Sequence, residues 1–234
     1  MKRTWFCSLA LLLGFAANLQ AAQIVVDPVG ATASSSYPNR SAGSTIDSSG
    51  LDPGPANVLA KNANEIPEPN VMWLTNGTPT GTITFDLGAN YWVASAFVWN
   101  YSEVAFSNGA SFTSRGARSV DVYASATDTN PSLPSEFVGN IQLSQANPAP
   151  STTFGGGANW GLDYNTPGVN YNLPTSAYGA RYIRFDILSN FGDGFLGLDE
   201  VRFIALPEPS SLVLAGLAAV GLAGYSLKRR RRNG

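Results

Sequence analysis

The residues best suited to chemistry in this chain are carboxylates: Asp86, Asp121, Asp163, Asp186, Asp193, Asp199 and Glu200. Two such groups about 5 to 10 Å apart across a cleft, one of them with a raised pKa, can hydrolyse a glycosidic bond. Spacing along a chain fixes neither the separation nor the pKa. Histidine is absent and the single cysteine is Cys7. Imidazole acid-base catalysis is therefore excluded, as are metal sites that need imidazole, and oxygen ligation remains as the metal chemistry. No G-x-S-x-G elbow, P-loop or H-E-x-x-H sequence occurs. Asp86 and Asp186 read more simply as turn or strand-face residues, and the chain reads as noncatalytic. Arg115 and Arg118 stand just before a strand-like run, where they suit either an anionic glycan or a solvated pair offsetting an acidic surface.

These residues belong to a middle segment that differs from both ends. Between residues 22 and 206 there are 15 Asp and Glu against 7 Lys and Arg, a net charge of about minus eight. Such a surface repels nucleic acid, and none is expected as a partner. At the N-terminus, Lys2 and Arg3 precede an apolar run from Trp5 to Ala17, and small residues follow at Ala21 and Ala22. This is the layout of a secretory signal, so residues 1–22 are assigned to a signal peptide read by the secretion translocon. A mature chain without cysteine suits an oxidising compartment.

The C-terminus has its own pattern. Pro207, Glu208 and Pro209 precede an uncharged run from Ser211 to Leu227, and Lys228, Arg229, Arg230, Arg231 and Arg232 follow. Seventeen residues make a helix of about 25 Å, close to the roughly 30 Å of a hydrocarbon core, with the cations held on the cytoplasmic side. Residues 207–234 are accordingly read as a single transmembrane helix with a basic tail. The three features in this order resemble the PEP-CTERM sorting signal of Gram-negative bacteria. The resemblance implies recognition and cleavage by an exosortase, with transient anchoring in the inner membrane before delivery to the cell surface or extracellular matrix. Glu208 is then part of a substrate. The two prolines disfavour helix around it and keep it extended for processing.

Residues 23–206 are expected to form one domain. Short alternating runs start at Thr82, Val93, Ser119, Phe137, Arg181 and Glu200, each bounded by Gly, Pro, Asn or Ser. Ile183, Phe185 and Ile187 point one way while Arg184 and Asp186 point the other, the signature of a half-buried strand. No stretch between signal and tail sustains a 3.6-residue apolar period. The expected fold is all-β, a jelly-roll-like β-sandwich. The Ser-rich stretch from Ala31 reads as an ordered but irregular approach to the domain or a partly flexible arm, and the long Gly- and Asn-rich stretch from Asn147 as a functional loop or a disordered one. "GDG" at Gly192 reads as a turn.

The order of "GTITFDLGANYWVASAFVW", "GARSVDVYAS", "GARYIRFDIL" and "GLDEVRF" resembles a discoidin or coagulation-factor C-type domain of the galactose-binding-like group, over about Ala56 to Phe203. That resemblance implies a structural calcium, with Glu200 as the late acidic ligand and Asn57 and Asn62 in the early loop. Lys61 stands where an acidic residue is expected, a departure from the pattern. The alternative is that Asn57 caps a turn and Glu200 pairs with an arginine such as Arg181. The resemblance also implies a glycan site on loops at one end of the sandwich. Trp160, set among glycines and followed by Asp163 and Tyr164, is the stacking candidate, with Arg115 beside it, whereas Trp73 is expected to be buried packing. The expected function is a noncatalytic surface or matrix protein that binds exopolysaccharide or another surface glycan. A structural biofilm or matrix component without a sugar site is the alternative.

Overall fold

The computed structural model describes residues 23–49, 51–52, 64–65, 71–103, 111–146, 168–206, 216 and 218–222. The strands are β1 (Ile24–Val26), β2 (Gly30–Ala33), β3 (Leu51–Asp52), β4 (Asn64–Glu65), β5 (Trp73–Leu74), β6 (Gly81–Asn100), β7 (Ala117–Ser125), β8 (Phe137–Gln142), β9 (Val169–Asn190) and β10 (Gly197–Leu206). The protein is all-β. Eight strands form one sheet in the order β1-β10-β6-β9-β7-β8, with β2 on β6 and β5 on β10, while β3 and β4 pair separately. Every pairing between these strands is antiparallel. Each run expected from alternation lies in one of them.

The sheet folds over on itself, and the sequence shows where. Residues 81–86 of β6 pair with the second half of β9 and with β2, whereas residues 92–100 pair with β10. Between these stretches the β6–β9 register breaks, from Asp86 to Tyr91. Gly88 supplies the left-handed turn there at φ 77°, and its N–H donates to Asp86 Oδ1 at 2.8 Å. The fold-back brings Phe85, Phe185 and Phe203 together with centroids 5.4 to 6.1 Å apart in edge-on contacts, although Phe203 pairs with Ala96 rather than with Phe85. Two layers therefore enclose the core.

One layer contributes Ile83, Phe85, Val120, Val122, Ile183, Phe185 and Ile187, all buried in the main apolar cluster. Strand β10 is buried on both faces along nearly its whole length. Val201 and Phe203 face the main core, while the alternate side carries Glu200 and Arg202. Trp73 is 0 % exposed, and its indole N–H donates to Ser35 O at 3.0 Å, which accounts for a polar atom that burial would otherwise strand.

The stretch from Ala31 is ordered where it is described. It supplies part of β2 and the 3-10 turn Ala42–Thr45, in keeping with an ordered but irregular approach rather than a flexible arm. Small residues concealed the strand because Gly-Ala-Thr-Ala has little apolar contrast. The stretches 147–167 and 207–215 lie outside the described residues, as do residues 1–22 and 223–234. Among the described residues no helix is long and apolar enough to cross a membrane.

Gly197 opens β10 in a space that admits no side chain. A Cβ there would lie 2.3 Å from the Tyr101 ring and 2.6 Å from Trp73 O. Gly197→Ala is expected to destabilise the domain by about 1–3 kcal/mol through overpacking. Thermal denaturation should show a lower Tm, and an unchanged Tm would contradict this packing.

Candidate functional site

Strand ends converge at one end of the molecule, where β6 and β9 stop and β7 and β10 begin. Asn100 fastens them. Its Nδ2 donates to Ala117 O at 2.7 Å and to Ser144 O at 2.8 Å, and its Oδ1 accepts from the N–H of Ala117 and of Tyr101, each at 2.9 Å. A buried amide with all its bonds made fixes the chain paths leaving this end.

Immediately beyond lies a buried charge cluster. Arg40 binds Glu103 with both guanidinium ends, Nη1 to Oε2 at 2.5 Å and Nη2 to Oε1 at 2.8 Å. Tyr101 donates its hydroxyl to Glu103 and accepts from Arg40. Arg115 Nη1 reaches Glu103 at 3.1 Å, and Arg115 Nε lies 3.6 Å from Asp193. Burial works against an ionised Glu103, but the bonds from Arg40 and Tyr101 and the charges of both arginines outweigh it and hold its carboxyl below the usual range. Burial beside Glu103 pushes the Tyr101 hydroxyl well up, so it stays a donor at neutral pH.

Arg115 ends the 3-10 turn Thr113–Arg115, which places its guanidinium 4.0 Å from the centroid of Phe112 and 5.3 Å from that of Phe195. Tyr37 meets Phe195 edge-on at 6.1 Å and is 43 % exposed. Phe112 and Phe195 are half-buried. Asn190 shapes the turn carrying Asp193 by donating to the carbonyls of Asp193 and Phe195 at 2.7 and 2.6 Å. Gly192 takes φ 109° there, which bears out the reading of "GDG" as a turn. This end thus presents partly exposed rings around a cation fixed by two carboxylates.

The chain's membership can be stated at this point. Residues 61–204 match the profile of a family described as a domain of unknown function, DUF5000. The chain belongs to that family. Residues 205–232 match the PEP-CTERM protein-sorting motif, which marks an exported protein processed at the cell envelope and implies an exosortase as the processing partner. No curated protein matches. Among solved structures the DUF5000 chain is similar to truncated AlyQ with CBM32 and alginate lyase domains, at 18% identity and TM-score 0.43, over 81% of this chain and 35% of that one. It thus spans about a third of that relative's length. It is also similar to the CBM32 of AlyQ in complex with 4,5-unsaturated mannuronic acid, at 19% identity and TM-score 0.41, over 77% of this chain and 97% of that one. A third is the family 32 CBM from C. perfringens NanJ in complex with galactose, at 14% identity and TM-score 0.42, over 78% of this chain and 99% of that one.

The expected site residues fall out unevenly. Arg115 stands at the loop-bearing end. Trp160, Asp163 and Tyr164 lie outside the described residues. The described residues flanking their segment belong to this end: Gln145 donates to Thr113, and a Cβ on Gly168 would collide with Phe97 and Trp99. Tyr37, Arg40, Glu103, Phe112 and Phe195 were not singled out from sequence. The available signal was the pair of phenylalanines bracketing "GDG".

Glu200 sits elsewhere, 0 % exposed on β10. Its Oε1 takes Arg202 at 2.8 Å and its Oε2 accepts from Ser48 N–H at 3.1 Å. The arginine alternative holds with a different partner, because Arg181 pairs with Asp86 at 2.8 Å. Of the other residues expected to hold calcium, Asn57 and Asn62 lie outside the described residues. Among the described residues no group of three or more His, Cys, Asp or Glu is placed to hold a metal ion. Burial pushes the Glu200 carboxyl up to about 7, against the pull of Arg202 and the Ser48 N–H.

The two buried glutamates have opposite proton linkage. Glu103, depressed when folded, contributes stability above about 4.5 that is lost as pH falls through its lower folded value. Glu200 is raised, so its contribution is fullest below about 4.5 and declines as pH rises toward about 7. Glu103→Gln is expected to cost on the order of 3–5 kcal/mol at pH 7 by stranding Arg40, and to flatten the acid limb of denaturant-measured stability. The cost of Glu200→Gln should shrink between pH 5 and pH 8. The reverse trend would refute the assignment.

Proposed function

We propose that the protein is an exported, noncatalytic glycan-binding protein, and that its loop-bearing end holds the sugar. The observation that carries this reading is Arg115, fixed by Glu103 and Asp193 and laid over the half-buried rings of Phe112 and Phe195, with the exposed Tyr37 alongside. A pyranose offers an apolar C–H face and a rim of hydroxyls. Rings held at a fixed tilt match the face, and oriented guanidinium and carboxylate groups match the rim. We place Trp160, Asp163 and Tyr164 in the same site, on the segment entering this end. The two-layer sheet is read as a jelly-roll-like sandwich of the galactose-binding-like kind. The noncatalytic reading is supported by the pairing of Asp86, Glu103, Asp186, Asp193 and Glu200 with arginines. A general acid needs a raised pKa in an open cleft, whereas Glu103 is depressed and Glu200 is enclosed.

In this reading the signal peptide directs the chain through the translocon of a Gram-negative bacterium. The helix of residues 211–227 holds it transiently in the inner membrane, and exosortase recognises the tail with its Pro207-Glu208-Pro209 motif and removes it to deliver the protein to the surface or matrix. Exopolysaccharide is the proposed ligand. Calcium, expected on Glu200 with Asn57 and Asn62, would require Glu200 to exchange Arg202 for the ion. A rise in Tm with calcium that chelator reverses would support that exchange, and identical melting curves would remove calcium from the reading.

Two experiments test the proposal. The purified exported protein should be retained on the producing organism's exopolysaccharide, and Phe195→Ala or Trp160→Ala should reduce retention about tenfold with the β-sheet spectrum preserved, as the loss of a stacking contact implies. Unchanged retention in both variants would favour the structural matrix role. For sorting, replacing Glu208 or deleting residues 228–232 should leave an unprocessed, membrane-associated form, and a normal mature mass would refute that step.

A further inference from the structure

Six arginines lie among the described residues, and five of them spend their charge on the protein itself. Arg40 and Arg115 meet Glu103, Arg181 meets Asp86, Arg184 meets Asp186, and Arg202 meets Glu200 and Asp27. Arg118 is the exception: among the described residues no carboxylate lies within ion-pair distance of it. Its side chain is exposed, and its guanidinium carbon stands 5.8 Å from the centroid of Phe191.

Both halves of that stack are fastened to the frame. Arg118 follows Ala117, whose N–H and C=O are bonded to Asn100, and the Arg118 carbonyl accepts from Leu143 N–H at 2.7 Å. Phe191 N–H donates to Ser114 O at 3.0 Å. The turn that begins at Phe191 also carries Asp193, the partner of Arg115, and Phe195, the ring beneath it. One turn therefore supports the Arg118 guanidinium on one side and the ring-and-arginine surface on the other. A guanidinium over an aromatic ring keeps its N–H groups free for a planar anion.

We infer that Arg118, stacked on Phe191, is an anion subsite of the loop-bearing end, so that the glycan taken there is acidic, carrying a carboxylate or sulfate on the sugar. The inference rests on the glycan-binding reading above and adds the class of sugar. It also reconciles an acidic protein with an acidic polymer. The net charge of minus eight repels at long range and is screened within about 8 Å at physiological ionic strength, whereas a direct guanidinium contact acts inside that distance.

The test uses the full exported protein at 0.15 M salt with three immobilised polymers: a polyuronate, the same polymer with its carboxyls reduced to alcohols, and a sulfated galactan. The wild type should bind at least one anionic polymer about tenfold or more tightly than the reduced one, as loss of a charge-assisted contact implies. Arg118→Gln should lose that preference, keep its affinity for the reduced polymer, and melt at the wild-type temperature. Which anionic polymer responds tells carboxylate from sulfate. Phe195→Ala should weaken binding to all three. Equal wild-type binding to charged and reduced polymers, or an Arg118→Gln variant that keeps the preference, overturns the acidic-sugar inference and leaves the glycan reading standing. Failure of the wild type to bind any polymer, including the native exopolysaccharide, overturns both.

Discussion

A buried carboxylate with donors converging on it organises the loop-bearing end of this protein. Glu103 receives Arg40 from the N-terminal stretch, Tyr101 from the exit of β6, and Arg115 from the turn before β7. Segments far apart in sequence are thereby tied to one point. Placing a charge in a largely water-free site is expensive, and the cost is offset only while every donor is present. Placement of the rings follows from that requirement, because Arg115 can lie over Phe112 and Phe195 only where Glu103 and Asp193 hold it.

The same logic of compensated charge recurs on the other side of β10, with a different outcome. Glu200 and Arg202 are enclosed together, and Ser48 supplies a further backbone donor. Here burial outweighs the compensation. Glu103 is anchored by two arginines and a phenol, Glu200 by one arginine and an amide, and the difference in donor number separates their protonation behaviour.

Legibility in the sequence followed how local the determining physics was. Alternation of apolar residues is local, so Ile183, Phe185 and Ile187 were assigned to the inward face and lie there. Asp86, read as a turn or strand-face residue, accepts from Gly88 N–H two positions on, an equally local contact. The sorting motif was visible because its three parts are contiguous. Ion pairing is not local. Glu103 meets Arg40 across 63 positions and Arg181 meets Asp86 across 95, and no spacing rule connects such residues. For that reason the partner of Glu200 was sought in Arg181 and found two residues away in Arg202, a same-face neighbour on the strand. Tyr37 and Arg40 escaped notice because they stand in a stretch rich in Ser, Asn and Gly, where composition carries no apolar period to mark them.

Strand β10 also gives the molecule a direction. It starts at Gly197, at the loop-bearing end, and runs buried through the body to Leu206, opposite Trp92, and the sorting motif begins with no spacer between. Ten residues of extended chain cover about 33 Å. Leu206, where the sorting match has already begun, therefore lies about one strand's length from Gly197 and the ring-bearing end.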